Sequence, residues 1–260
     1  AGRIHNSKIH DNYFGIYTFN TKHLAVTNNE VYNNLEYGLD FHDYSDMFNV
    51  YKNKVYNNGN HGIIFSKWCK DNLIVQNEVF GNTETAFVKG EVKNYGTHGI
   101  MLHHESENNL VEGNILSDNR VGIYLMDSNN NIIRDNIIKS DLEEGIYIER
   151  SHNNQFENNV IEKTTDFSIY SYWSNNNTFK NNQFINSAYF KGEDYALIFD
   201  ELPEIIDYSK ENITKIEEKI EEETEILLSA KVLYILILSV FAIFGFGLEY
   251  FLKKSRRNND

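Results

Sequence analysis

A few residues that can move protons or hold anions recur along this chain at intervals of about one repeat. Asp40, His42 and Asp43 stand together. His61 and Lys67 follow, Lys67 lying 25 residues after His42, and the neighbours His103 and His104 come later. Histidine ordinarily titrates near neutrality, so it can take and return a proton. An aspartate beside it can fix its tautomer, and a lysine can offset a negative charge as it develops. These groups lie far apart in the chain, so they can cooperate only if the fold stacks successive segments on one another.

The sequence supplies such a fold. Gly-apolar steps recur at Gly15-Ile16, Gly38-Leu39, Gly62-Ile63, Gly99-Ile100, Gly122-Ile123 and Gly145-Ile146, and Ser168-Ile169 continues them; the spacings are 23, 24, 37, 23, 23 and 23. A second series, Asn29, Asn53, Asn77, Asn114, Asn136, Asn159 and Asn182, keeps step with spacings of 24, 24, 37, 22, 23 and 23. Each half-repeat alternates apolar with polar, as in Ile146-Tyr147-Ile148-Glu149, which marks a short half-buried strand. No helical run of 10 or more residues separates these strands, which argues against strand–helix–strand units. Three short strands and three turns per repeat make one coil of a solenoid, whose backbone hydrogen bonds come from neighbouring coils. The Asn-rich turns tolerate left-handed backbone, and stacked internal Asn can bond along the axis. The expected fold is therefore all-β, a right-handed parallel β-helix of about eight coils over residues 1–187. The first coil starts at residue 1 without a capping segment, so further N-terminal coils are expected to be missing.

Composition narrows the partners. Residues 1–190 carry 15 Lys/Arg against 23 Asp/Glu, and residues 191–230 carry 4 against 13. Neither segment has the basic excess that a phosphate backbone demands, so nucleic acid is not an expected partner. The single Cys69 excludes an internal disulfide framework. After a linker at 188–203, residues 204–230 are highly charged, with Ile206, Ile213, Ile220 and Leu227 at seven-residue spacing. This pattern predicts an amphipathic helix, usable as a stalk, for self-association, or as a cap on the last coil. Residues 231–252 contain an uncharged run, Val232 to Leu248, long enough to span a membrane. The basic tail 253–260, with Lys253, Lys254, Arg256 and Arg257, would then lie in the cytoplasm and the β-helix outside it. Asn176 and Asn212 fall in glycosylation sequons.

Aligning the coils on their Gly maps one outer face. The second and fourth residues after Gly should point outward: Tyr17/Phe19, Asp40/His42, Ile64/Ser66, Met101/His103, Tyr124/Met126, Tyr147/Glu149 and Tyr170/Tyr172. The fifth reads Asn20, Asp43, Lys67, His104, Asp127, Arg150, Trp173. Asp40, His42, Asp43, Lys67, His103 and His104 thus share a face, flanked by aromatics. Adjacent coils sit about 4.8 Å apart, so His42 and Lys67 could reach one bound group. Aromatic rows suit the apolar faces of sugar rings, and cross-coil stacking would serve them equally well. The long 37-residue interval holds an excursion, within Thr83–His98, that reads either as a lid over this face or as a passive loop.

Tyr37-Gly38-Leu39-Asp40-Phe41-His42-Asp43, followed by His61-Gly62-Ile63-Ile64-Phe65-Ser66-Lys67, resembles the signature of the mannuronan (alginate) C-5 epimerases, and the resemblance runs from about residue 36 to about residue 185. The family's motif has proline where this chain has Phe41 and arginine where it has Lys67, and the coils that precede the motif in the family are expected to be missing. The resemblance implies a right-handed β-helix acting on a polyuronate or other acidic polysaccharide. His42 would be the base that removes the C-5 proton and Lys67 the cation that neutralises the substrate carboxylate, with Asp40 and Asp43 supporting them. His61, His103, His104, Tyr17, Tyr124 and Tyr147 would contact substrate, and His61, His103 and His104 are unresolved candidates for reprotonation. Breaking the C4–O bond after the same first step would make a lyase. A non-catalytic surface β-helix that binds glycans or proteins is the rival class. Nine histidines also invite comparison with periplasmic copper-accessory β-helix proteins, but they lack a compact ligand pattern, and no cofactor or metal is expected.

Overall fold

The structure, a computed structural model, describes residues 2–83, 87–88, 91–92, 97–139, 141–186, 190–192, 197–199 and 204–206. The strands fall into three long parallel sheets, and each coil contributes one strand to each. The first sheet runs from Gly2–His5 through Asn49–Tyr51 and Leu110–Glu112 to Leu197–Phe199. The second runs from Lys8–His10 through Lys54–Tyr56 to Glu204–Ile206. The third holds Ile16–Phe19, Leu39–His42, Ile63–Ser66, His98–His103, Val121–Met126, Ile146–Glu149, Ile169–Tyr172 and Phe190–Gly192. This is the expected solenoid of about eight coils.

Register explains the two sequence landmarks. In the first sheet Val50, Ile74, Val111, Ile133 and Phe156 sit directly above one another and are fully buried. Burying these columns between coils supplies the main driving force for stacking. The repeated Gly stands where backbones approach most closely: a Cβ at Gly62 would lie 2.8 Å from the Gly99 carbonyl oxygen and 2.5 Å from Val79. The Asn series is a ladder inside the coil. Asn53 donates from Nδ2 to Asn77 Oδ1 at 3.0 Å and to the Val26 carbonyl at 2.8 Å, and its backbone N–H donates to the same Asn77 Oδ1 at 2.9 Å. Each side chain thereby satisfies backbone groups that the turn leaves unpaired. A second ladder, Asn34–Asn58–Asn82–Asn119, ends on Asp141, whose Oδ1 accepts the Asn119 N–H at 3.0 Å.

The solenoid extends beyond residue 187. Phe190–Gly192, Leu197–Phe199 and Glu204–Ile206 each pair in parallel with the preceding coil. The expected linker at 188–203 and the first residues of the expected helix therefore contribute strands to a further coil. These strands lack the Gly and Asn landmarks that marked the earlier ones. Residues 207–260, on which the rest of the predicted stalk, the spanning helix and the basic tail fall, lie outside the described residues. Among the described residues no helix is long and apolar enough to cross a membrane. Within the long interval Phe87–Val88 pairs antiparallel with Glu91–Val92, and most of the remaining excursion is likewise outside the described residues.

One expectation about the outer face needs correction. Asp40, Ile64, Ser66, Met101 and Tyr124 point away from the main core, as strand parity requires, yet they are buried. Ile64, Met101, Val121 and Tyr124 form a second apolar cluster outside the third sheet, with Tyr37, Met126 and Tyr147 packed against it. Parity sets direction only; burial here comes from tall neighbours packing laterally over one another.

Candidate functional site

The third sheet sets the candidate site in a row with one residue per coil. His42 pairs in register with Ser66, and Ser66 with His103. The His42 side chain is 34% exposed, with Nε2 3.7 Å from Asp40 Oδ1 and Nδ1 3.5 Å from Asp43 Oδ1. Its carbonyl accepts the Ser45 hydroxyl at 2.7 Å, which fixes the turn after it. Asp40 is 1% exposed, and its Oδ1 has no hydrogen-bond partner. Burial pushes its carboxyl up to about 7, so near neutral pH it passes between a neutral acid and an anion. The half-exposed Tyr17 ring lies 5.7 Å from the His42 ring.

The structure gathers only part of the expected set. Lys67 occupies the next coil, but its ammonium lies over the Trp68 ring, 4.9 Å from the centroid, and pairs with no carboxylate among the described residues. His61 is buried, stacked between Tyr37 at 5.2 Å and His98 at 4.9 Å, and its Nδ1 accepts the His98 N–H at 3.3 Å. Desolvation drives the His61 imidazole down to about 3, so it is neutral and withdrawn from the open face. His103, half-buried, is lowered to about 4, chiefly by desolvation and then by His104; the two rings are 3.8 Å apart. Tyr124 is buried and Tyr147 half-buried. They form a stack with Tyr170, at 4.6 and 4.8 Å between rings, so this part of the aromatic row joins coils together.

A charged network that the alignment mapped without assigning continues the row. Arg150 holds Asp127 with a bidentate pair at 2.7 and 2.9 Å and also reaches Glu149, which accepts the Tyr124 hydroxyl. His104 Nδ1 lies 3.3 Å from Asp127. The Arg150 hydrogen bonds hold the Asp127 carboxyl below its usual range. Position five of every repeat carried the signal for this network, since Asp127 and Arg150 are adjacent there.

Comparison with known proteins defines the class first: the chain is a right-handed parallel β-helix. A family described as "Right handed beta helix region" matches residues 1–94, and one described as "Periplasmic copper-binding protein (NosD)" matches residues 89–196. Among solved structures the chain is similar to the periplasmic alginate epimerase AlgG, with a TM-score of 0.65 and 21% identity over 79% of this chain and 50% of that one. It is also similar to the A-modules of the Azotobacter vinelandii mannuronan C-5 epimerases AlgE4 and AlgE6. For AlgE4 the TM-score is 0.66 and the identity 17%, over 79% and 60% of the two chains; for AlgE6 the values are 0.64 and 14%, over 79% and 57%. The chain thus spans about half to three-fifths of these proteins, and at such identities the likeness speaks for the fold. No curated protein matches at a significant level. Among the described residues no three His, Cys, Asp or Glu side chains converge to hold a metal ion.

Proposed function

We propose that this protein acts on an acidic polysaccharide, removing the C-5 proton of a uronate unit and returning a proton from the opposite face. The carrying observation is the half-open His42 ring held between the Asp40 and Asp43 carboxyls, at 3.7 and 3.5 Å. Neither carboxylate oxygen hydrogen-bonds the ring, so the base is assigned to the His42 imidazole as a whole, with Asp43 beside Nδ1 and Asp40 beside Nε2 as the groups that can orient it. Abstraction creates an imidazolium, which the flanking carboxylates stabilise. Asp40, raised to about 7, contributes fully only once the pH exceeds that value. The substrate carboxylate gathers charge as the proton leaves, and Lys67 is the cation in the adjacent coil. Its flexible stem must turn from Trp68 toward the substrate, and it offers one charge in place of arginine's fork. His61 is withdrawn and His103 neutral near pH 7, so His104 or water is left to reprotonate. We place this β-helix on the extracytoplasmic side, tethered by the uncharged run at 232–248. The Lys67–Trp68 contact also favours a second reading, a glycan-binding β-helix without turnover.

The test is incubation with polymannuronate in deuterated water, read by proton NMR. Wild type should exchange hydrogen at C-5 and form guluronate, and His42→Gln should lose on the order of 10²–10⁴ in rate, the usual value of a general base. Full exchange by His42→Gln would remove that residue from the mechanism. Binding without exchange by wild type would establish the second reading.

A further inference from the structure

The turn that follows the third sheet is longer beside His42 than elsewhere. It has six residues in three successive coils, 43–48, 67–72 and 104–109, and five in the next two, 127–131 and 150–154. In the long turns two consecutive residues adopt left-handed backbone: Asp43 and Tyr44 at φ 32° and 58°, Lys67 and Trp68 at 74° and 59°, His104 and Glu105 at 44° and 56°. Asn and Asp accept this conformation readily, whereas Tyr, Trp and Lys adopt it at a cost. These bulky residues gain little burial in return. Tyr44 is 48% exposed and stacks on Trp68 at 5.0 Å, with the Lys67 ammonium on the far ring. Trp173 stands in the same row, where position five is left-handed in every coil; it is 59% exposed and stacked on Tyr172 at 5.1 Å.

Lys67, His104, Asp127, Arg150 and Trp173 follow one another coil by coil, joined by backbone hydrogen bonds between turns and strand ends. The two aromatic platforms therefore stand four coils apart, about 19 Å at the usual strand spacing. Between them lies the polar His104–Asp127–Arg150 network. Stacked aromatic faces left this open to solvent serve recognition better than stability.

We propose that Tyr44–Trp68 and Tyr172–Trp173 are the two end platforms of a single glycan track running along the solenoid axis. The chain would rest ring faces on the aromatics and hydroxyls on the polar network between them. This rests on the polysaccharide reading above and adds the length and direction of the bound polymer. His42 shares a coil with Tyr44, so the reacting unit lies near one end of the track. A pyranose unit is about as long as the coil spacing, so full occupancy takes roughly five rings.

The experiment is calorimetric titration of the full chain with a length series of oligomannuronates, alongside C-5 exchange on polymannuronate. Wild-type affinity should climb with length to about five rings and then level. Trp173→Ala should lower the ratio of long- to short-oligomer affinity about tenfold, the typical weight of a well-used interface tryptophan, and Trp173→Phe should restore most of it. Leu142→Ser, exposed and away from the row, is the control and should match wild type. If wild type exchanges C-5 hydrogen while Trp173→Ala leaves the length dependence unchanged, the track is refuted and the polysaccharide reading stands. If wild type neither binds nor exchanges, both fall.

Discussion

Asp141→Asn should stabilise this protein, and the gain should grow with pH. Asp141 takes the fifth rung of the ladder Asn34–Asn58–Asn82–Asn119. Its Oδ1 accepts the Asn119 N–H at 3.0 Å, while Oδ2 is buried without a hydrogen-bond partner. At the preceding rung Asn119 Nδ2 donates to the Val79 carbonyl at 3.1 Å. An asparagine in place of Asp141 supplies the equivalent donor, with nearly the same shape. A buried polar atom without a partner costs about 1–3 kcal/mol, and the substitution should recover that amount at neutral pH. For a domain of this size it corresponds to about 2–4 °C in Tm per kcal/mol. Desolvation holds the Asp141 carboxyl well above its ordinary value in the folded protein. The folded state then binds the proton more tightly than the unfolded chain. Stability from this group is fully present below the ordinary carboxylate pKa of about 4 and is lost as pH rises above it, by at most about 1.4 kcal/mol per pH unit. The substituted amide does not titrate, so the advantage of the variant should be small at pH 4 and large at pH 7. Asp40 and Glu144, both raised to about 7, add a slope of the same sign to both proteins and cancel in the difference. Urea unfolding followed by circular dichroism at several pH values measures this. A variant no more stable than wild type at pH 7, or an advantage independent of pH, would refute the account of Asp141 as a protonated rung.

Other predictions use the same geometry. Asn114→Ala removes an acceptor from the Asn77 N–H and side-chain amide, at 2.9 and 3.0 Å, and donors from the Ile74 carbonyl at 2.8 Å and Asn136 at 3.0 Å. A loss of about 3 kcal/mol or more in chemical denaturation is expected, since several buried groups lose their partners together; a loss under about 1 kcal/mol would show that the ladder is dispensable. Lys67→Arg should keep or raise C-5 exchange, whereas Lys67→Met should weaken both turnover and polymer binding; equal rates for all three proteins would remove Lys67 from the site. Protease applied outside intact cells should digest the β-helix and spare a C-terminal tag, and loss of the tag would reverse the proposed topology.

The period and its two landmarks were enough to read the solenoid, because Gly marks the closest backbone approach and Asn the ladder. The longer turns were also written in the sequence. The offset from Gly to the following ladder Asn is 15 at Gly38, Gly62 and Gly99 and 14 at Gly15, Gly122 and Gly145. The landmarks taken as two separate series concealed that difference. Alternation gave the direction of Asp40 and Tyr124 but not their burial, which depends on the height of side chains one coil away. It placed Lys67 one coil from His42 but could not foresee that the adjacent Trp68 ring would hold its ammonium. The last coil is not legible in the sequence because Phe190–Gly192 is not preceded by the Gly of the Gly-apolar step and Glu204–Ile206 is not preceded by a ladder Asn.

The ladders have a further consequence for how such a chain can change. In most folds an inserted residue displaces everything packed after it. Here each strand is re-indexed by the coil below through its Gly contact and Asn rung, so an insertion in a turn is absorbed before the next strand begins. Three turns beside His42 have each taken an extra residue while the columns beneath them kept their register. Chemistry on this scaffold can therefore be edited one loop at a time, with the interior acting as a ruler that does not accumulate error.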